Sequence, residues 1–231
     1  REHGKLGHLV NGKWETTSTK EVKQDGQFVR KPSAFRNWVT VDGSPGPTGT
    51  GGFKAEVGRY HLYVSYACPW AHRALIYRNI LGLEDVIDIS VVHPVNMENG
   101  WEFADFPGAT PDAINNARYM YQVYTHSEPD YSGKVTVPVL WDRETGRIVS
   151  NESADIIRTI ADGFKSFAST WQDLLPAEKR DEIDEINEFI YRTINNGVYR
   201  TGFAETQAAY ETGVGAMFDA FGQLDARLAN N

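Results

Sequence analysis

Cys68 is the one cysteine in 231 residues, and it stands in Tyr66-Ala67-Cys68-Pro69-Trp70-Ala71-His72-Arg73, between an apolar strand-like run and a helix-like run. Proline is tolerated at the first helical position because the N–H it lacks would be unpaired there, so Pro69 marks a helix start with Cys68 as its N-cap. A sulfur so placed faces unpaired backbone N–H groups and the positive end of the helix dipole. Such surroundings lower a thiol pKa from about 8.5 into the ~3.5–7.5 range. The chemistry implied is nucleophilic attack by a thiolate. The spacing is that of a Cys-x-x-Cys redox motif with Ala71 in the second cysteine's place. A mixed disulfide on Cys68 has no resolving thiol in this chain and must be cleared by one from outside, for which glutathione is the abundant cytosolic candidate. The alternative is a small buried hydrophobe, the commonest fate of a lone cysteine.

Other residues invite a chemical reading beside a plainer one. Val137-Pro138 interrupts an apolar run, and a proline there removes a ladder donor, so it implies an edge, a bulge or a special bend. Glu152-Ser153 opens a helix, where backbone N–H groups and the Ser153 hydroxyl suit a carboxylate; ordinary capping by Asn151, Glu152 and Ser153 explains the same residues. Trp101 lies in a long loop beyond clear apolar periodicity and either covers a ligand or pins the loop. Tyr199 falls in a Gly-flanked break between two amphipathic helices, which turns its hydroxyl to a cleft. His72 reads as a packing or surface residue. Six scattered histidines and no second cysteine give no metal site.

The elements that position these residues divide the chain in three. Residues 1–56 form an extension and linker with few periodic apolar stretches, ending in Gly43-Ser44-Pro45-Gly46-Pro47 and Gly49-Thr50-Gly51-Gly52, and anchored through Phe28, Phe35 and Trp38. Residues 57–165 read as a strand at 61–64, a helix from Pro69 to about Leu81, a strand at 86–92, a loop at 93–109, a helix from Thr110 to about Tyr124, a hairpin from Val135–Trp141 and Arg147–Val149, and a helix from Asn151 or Glu152. That β-α-β-α-β-β-α order belongs to a thioredoxin-like α/β domain with mixed strand pairing. Residues 166–231 are a partial all-helical domain with two apolar stripes, Ile183, Ile186, Phe189, Ile190, Ile194 and Tyr210, Val214, Met217, Phe218, Phe221, Leu224, Leu228. Two helices are too few to close a bundle, so a partner, the first domain or residues beyond Asn231 are expected to cover the remainder.

Bulk properties bound the function. With 41% hydrophobic residues there is apolar material for two small cores. A single cysteine excludes an intrachain disulfide framework and points to a reducing compartment, the cytoplasm. Neither a secretory leader nor a long apolar segment is evident, so no membrane is expected. The net charge of −8 disfavours general nucleic-acid binding. Residues 1–40 carry eight Lys/Arg against four Asp/Glu, so the remainder carries −12; the basic stretch is either a cover for an acidic face or a flexible arm.

Five segments in order, Cys68–Arg73, Asn96–Phe103, Thr136–Asp142, Ser150–Ser153 and Asn195–Ala204, resemble the glutathionyl-hydroquinone reductases, or Xi-class glutathione transferases, from about Arg36 onward. The resemblance implies a glutathione transferase fold, a thioredoxin-like domain followed by an all-α domain that normally continues well past Asn231, and a homodimer. It implies removal of glutathione from glutathionyl-hydroquinones, with glutathione as co-substrate, no metal, and Cys68 as nucleophile. Pro138 would be cis, leaving Val137 to bind the cysteinyl backbone of glutathione. Glu152 and Ser153 would hold its γ-glutamyl end, Trp101 would cover it, and Tyr199 would hydrogen-bond the hydroquinone oxygen. Lys134 and Arg118 are candidates for its glycine carboxylate, each with a plain surface charge as the competing reading. The competing functions are an omega-like deglutathionylase or dehydroascorbate reductase, and a non-catalytic glutathione-fold interaction module.

Overall fold

The computed structural model describes residues 7–16, 25–26 and 28–230, so much of the basic N-terminal stretch lies outside the described residues. Where an irregular extension is expected, β1 (His8–Val10) pairs antiparallel with β2 (Lys13–Glu15). Their turn is Asn11-Gly12, both left-handed with φ of 47° and 73°, the combination that matches strand twist and that Asn-Gly favours. Leu9 is fully buried and exchanges two 2.9 Å backbone hydrogen bonds with Gly133. Trp14 stacks on Tyr121 with centroids 5.0 Å apart and donates its indole N–H to the Glu98 carbonyl at 3.1 Å. The hairpin is thereby stapled onto the loop that carries Trp101. Phe35 packs edge-on against Tyr124, as an anchor should, whereas Trp38 bonds Thr48 within the extension itself.

The next elements are β3 (Tyr60–Val64), α1 (Pro69–Ile80), β4 (Asp88–Val91), α2 (Met120–Ser127), β5 (Val139–Asp142), β6 (Arg147–Ser150) and α3 (Ser153–Arg158). They keep the expected order and form a thioredoxin-like sheet β4-β3-β5-β6, with β3 and β4 parallel and the other pairs antiparallel. β3 is central and all five residues are fully buried. Because successive side chains point to opposite faces, Tyr60, Leu62 and Val64 join Ala71, Ala74, Ile156 and Ile160 in one core, while Tyr63 joins Val123, Val139 and Trp141 in the other. Helices α1 and α3 cover the first face and α2 the second. At the end of α1, Gly82 takes φ +59° against Ser169, where any Cβ would collide.

Two expected boundaries move. The helix foreseen from Thr110 starts only at Met120, because the buried Asp112 carboxylate accepts the N–H groups of Ile114, Asn115 and Ala117 and Asn116 turns left-handed at φ 52°. Those local bonds compete with a helix. The strand foreseen from Val135 starts only at Val139, after a cis Val137-Pro138 bond.

The described residues of Arg1–Ser18 and Ser33–Leu174 form one compact unit, and those of Thr19–Pro32 and Leu175–Asn231 a second, so the extension is divided between the units where one separate segment ending at 56 is expected. In the second unit α4 (Arg180–Ile190) runs through a π-helical turn, Tyr191–Asn195, into α5 (Asn196–Gly202), and α6 (Gln207–Ala229) follows with Thr206 as N-cap. Tyr199 therefore sits inside a helix rather than in a break. Ala220 is buried and Val214, Met217 and Leu224 half-buried on α6, but Tyr210, Phe218, Phe221 and Leu228 are exposed, so the inward face is narrower than the expected stripe. Among the described residues no helix is long and apolar enough to cross a membrane.

His61 Nε2 lies 2.8 Å from Ser90 Oγ and Nδ1 3.4 Å from the Arg143 guanidinium. Burial first, and then Arg143, outweigh Asp88 and Asp112 and lower its pKa to about 4. The unfolded chain binds this proton below about pH 6.5 and the folded one resists it. Stability held by neutral His61 is therefore full above pH about 6.5 and falls as pH drops towards 4. Melting temperature measured across that window should fall more steeply for the wild type than for His61→Gln; parallel curves would contradict this.

Candidate active site

In the first unit Cys68 follows β3, Val137-Pro138 precedes β5 and Glu152-Ser153 follows β6, and the antiparallel pairing of these strands puts all three at one end of the sheet. Cys68 holds the N-cap position of α1 with extended backbone (φ −95°, ψ 114°) and makes no side-chain cap hydrogen bond, Pro69 follows at the first helical position, and the Cys68 carbonyl accepts from the His72 N–H at 3.0 Å. The side chain is half-buried, in contact with both cores, and its thiol donates to the Val137 carbonyl at 3.4 Å. The β3–β5 register dictates that approach. Tyr63 is opposite Val139, so counting on past the end of β3 and back past the start of β5 sets residue 65 against 137. The turn from Ser65 to Cys68, closed by a 3.1 Å bond from the Cys68 N–H to the Ser65 carbonyl, then returns the sulfur to Val137. Among the described residues nothing hydrogen-bonds the Val137 N–H. One backbone edge beside the sulfur is thus open to an extended peptide-like ligand.

The start of α3 is more densely bonded than capping alone requires. Glu152 caps the helix by accepting from the Ala154 N–H at 3.2 Å through Oε1, and its Oε2 accepts from the Ser33 hydroxyl at 2.9 Å. Ser153 is buried, and its Oγ accepts from Arg73 on α1. Arg36 grips Asp155 with a two-point salt bridge at 2.6 and 2.8 Å, and the Asn151 amide oxygen accepts from the Phe35 N–H. Ser33–Arg36 is therefore a strap along the Ser150–Asp155 edge. A lone Ser-x-x-Arg carries no sequence signal that connects the strap to Glu152. Arg73 was legible only as part of the Cys68 motif.

Trp101 is half-buried against the second core, and its carbonyl accepts from the Met120 N–H at 2.9 Å, which fixes the loop to the head of α2. Gly100 precedes it at φ +78° with its open side against the Trp14 ring, 3.0 Å from where a Cβ would be. Arg118, a candidate for the glycine carboxylate, bonds Glu102 at 3.0 Å and lies over the Tyr119 ring, and His72 is exposed. Tyr199 belongs to the second unit. Its ring stacks with Phe203 at 6.1 Å and Phe28 at 6.3 Å, with Arg30 5.3 Å from its centre. Among the described residues no group of His, Cys, Asp and Glu could hold a metal ion.

An open backbone edge beside a cysteine at a helix start suits an extended peptide-like ligand. Residues 67–162 match the family model for the N-terminal domain of glutathione S-transferases. The chain is 51% identical over 98% of its length to the glutathionyl-hydroquinone reductase YqjG of Escherichia coli K12, covering 69% of that protein. It is 45% identical over 96% of its length to the glutathionyl-hydroquinone reductase PcpF of Sphingobium chlorophenolicum, covering 68% of it. The glutathione-bound structure of YqjG superposes with a TM-score of 0.86 over 97% of this chain and 68% of that one, at 49% identity. The glutathione S-transferase Xi of Phanerochaete chrysosporium gives 0.84 over 91% of this chain and 66% of that one, at 46% identity. With Cys68 at the head of α1, cis Pro138 beside it and these relatives along nearly its whole length, the chain belongs to the glutathionyl-hydroquinone reductases, the Xi class of glutathione transferases.

Proposed function

We propose that this chain reduces glutathionyl-hydroquinones to free hydroquinones at the expense of glutathione, through a mixed disulfide on Cys68. The observation that carries the reading is a thiol at a helix N-terminus, 3.4 Å from the carbonyl of a residue before a cis proline, in a chain with no second cysteine. The Cys68 thiolate attacks the glutathionyl sulfur, the carbon–sulfur bond breaks, and the aromatic carbon leaves with the electron pair and takes up a proton to give the hydroquinone. The sulfur is oxidised to the disulfide level while the aromatic carbon is reduced. A second glutathione thiolate then attacks the glutathionyl sulfur on Cys68 and departs as oxidised glutathione, restoring the thiolate.

Each remaining residue has a part in this reading. The Val137 N–H and C=O pair with the cysteinyl backbone of glutathione as an added strand would, with Pro138 setting that edge. Glu152 receives the γ-glutamyl ammonium, Ser153 bonds its carboxylate, and Trp101 covers the tripeptide. The Tyr199 hydroxyl bonds the hydroquinone oxygen, a role that rests on its match to the family segment Asn195–Ala204. The working form is a homodimer in the reducing cytoplasm; a single cysteine supports the compartment and family resemblance the dimer.

Two experiments test these assignments. Cys68→Ser should melt like the wild type and lose turnover of a glutathionyl-hydroquinone to background, since a hydroxyl is hardly ionised at neutral pH and no other thiol can substitute; an active variant sinks the mechanism. Tyr199→Phe should slow that turnover about threefold to tenfold, the worth of one hydrogen bond, while glutathionylation of Cys68 by oxidised glutathione keeps its rate. Equal losses in both assays would remove Tyr199 from the hydroquinone.

A further inference from the structure

Arg73 lies on α1 five residues beyond Cys68, with its guanidinium 5.1 Å from the Trp70 ring centre. Its Nε and Nη2 both donate to Ser153 Oγ, at 3.1 and 2.7 Å, and Nη2 is 3.9 Å from Glu152 Oε1. A serine hydroxyl has two acceptor lone pairs and one proton to give. One guanidinium fills both lone pairs, so the capacity left to Ser153 is its O–H, directed away from Arg73. A hydroxyl left free could turn and accept from an ammonium instead. Glu152, by contrast, is acceptor-only when ionised, and each oxygen already spends one lone pair, on the Ala154 N–H and the Ser33 hydroxyl. The two neighbours thus differ in sign: Ser153 is held as a donor beside a cation, and Glu152 as an anionic acceptor.

We propose that Arg73 is a positioning residue that locks Ser153 as a donor to the carboxylate of a γ-glutamyl group and fixes Glu152 beside it as the acceptor for the ammonium, so that Arg73 sets selectivity for γ-glutamyl thiols over thiols lacking that group. The proposal rests on Glu152 and Ser153 being the γ-glutamyl subsite. Lysine is a poor replacement because one ammonium on a flexible stem lacks the planar fork that reaches both lone pairs.

The test compares two disulfides on the same sulfur. In either reaction the Cys68 thiolate attacks one sulfur, the S–S bond breaks, and the other half leaves as a thiolate. Rates of adduct formation are read by intact mass with oxidised glutathione and with 2-hydroxyethyl disulfide, which has no γ-glutamyl group. Arg73→Ala should slow the first reaction about tenfold or more, the scale of a lost charge-assisted contact, and leave the second nearly unchanged, with Arg73→Lys recovering only part of the loss. A merely structural role would slow both alike; that result, or no change in either, overturns the proposal. Should Arg73→Ala fail to melt cooperatively, Ser153→Ala carries the test: it must show the same selective loss, and adding Arg73→Lys to it must cost nothing further. A wild type without preference for oxidised glutathione over 2-hydroxyethyl disulfide would instead overturn the γ-glutamyl subsite itself, before Arg73 is considered.

Discussion

The site depends on one strand register. Antiparallel pairing of β3 with β5, Tyr63 opposite Val139, fixes how far Cys68 can be from Val137-Pro138, because both are reached within a few residues of the paired strands. A one-residue slip would turn every side chain of β5 to the other face. Leu140 would then leave the core under α1, and Val139 and Trp141 would leave the core under α2. Cores on both faces of β3 therefore hold the sulfur against the Val137 carbonyl. The same sheet is locked at its far end by buried Asp142, which accepts a two-point bond from Arg59 at 2.8 Å and caps the β5–β6 turn through Glu144 and Thr145.

The second half of the site is assembled by charge. Around the first turn of α3, Arg73, Arg36 and Ser33 meet Glu152, Ser153 and Asp155, and most partners are more than 60 residues apart in sequence. Such a cluster adds little net stability from each exposed pair, but it removes rotational freedom from the Glu152 and Ser153 side chains. In the proposed γ-glutamyl subsite, a ligand that carries both charges of an α-amino acid would meet groups that need little reordering, which is where affinity is gained. The strap Ser33–Arg36 is bonded to this edge even though it precedes the sheet by more than twenty residues.

What was legible in the sequence follows from how local each signal is. Cys68-Pro69 announced a helix start within two residues, and β3, α1 and the β5–β6 turn followed from short-range pattern and Gly82 or Gly146. The β1–β2 hairpin was also written locally, in Asn11-Gly12, but strands of three residues offer too little alternation to read. α2 starts later than periodicity predicts because a buried side chain, Asp112, captures backbone donors that a periodicity argument gives to a helix. Contacts such as Ser33 to Glu152 and Arg73 to Ser153 have no local signature, since they are made by the fold. On α6 the wide apolar stripe overstates the buried face: Phe218 lies about 100° round the helix from Met217, and Phe221, one turn on from Met217, is exposed as well.

Central to the account is that glutathione leaves the hydroquinone by passing through Cys68, rather than by direct attack of a second glutathione on the substrate. A single turnover without free glutathione separates the two. Mixing the chain with one equivalent of a glutathionyl-hydroquinone should release one free hydroquinone per active site and leave one glutathionyl group on the peptide containing Cys68. Hydroquinone release that waits for added glutathione, with Cys68 unmodified throughout, would contradict the account.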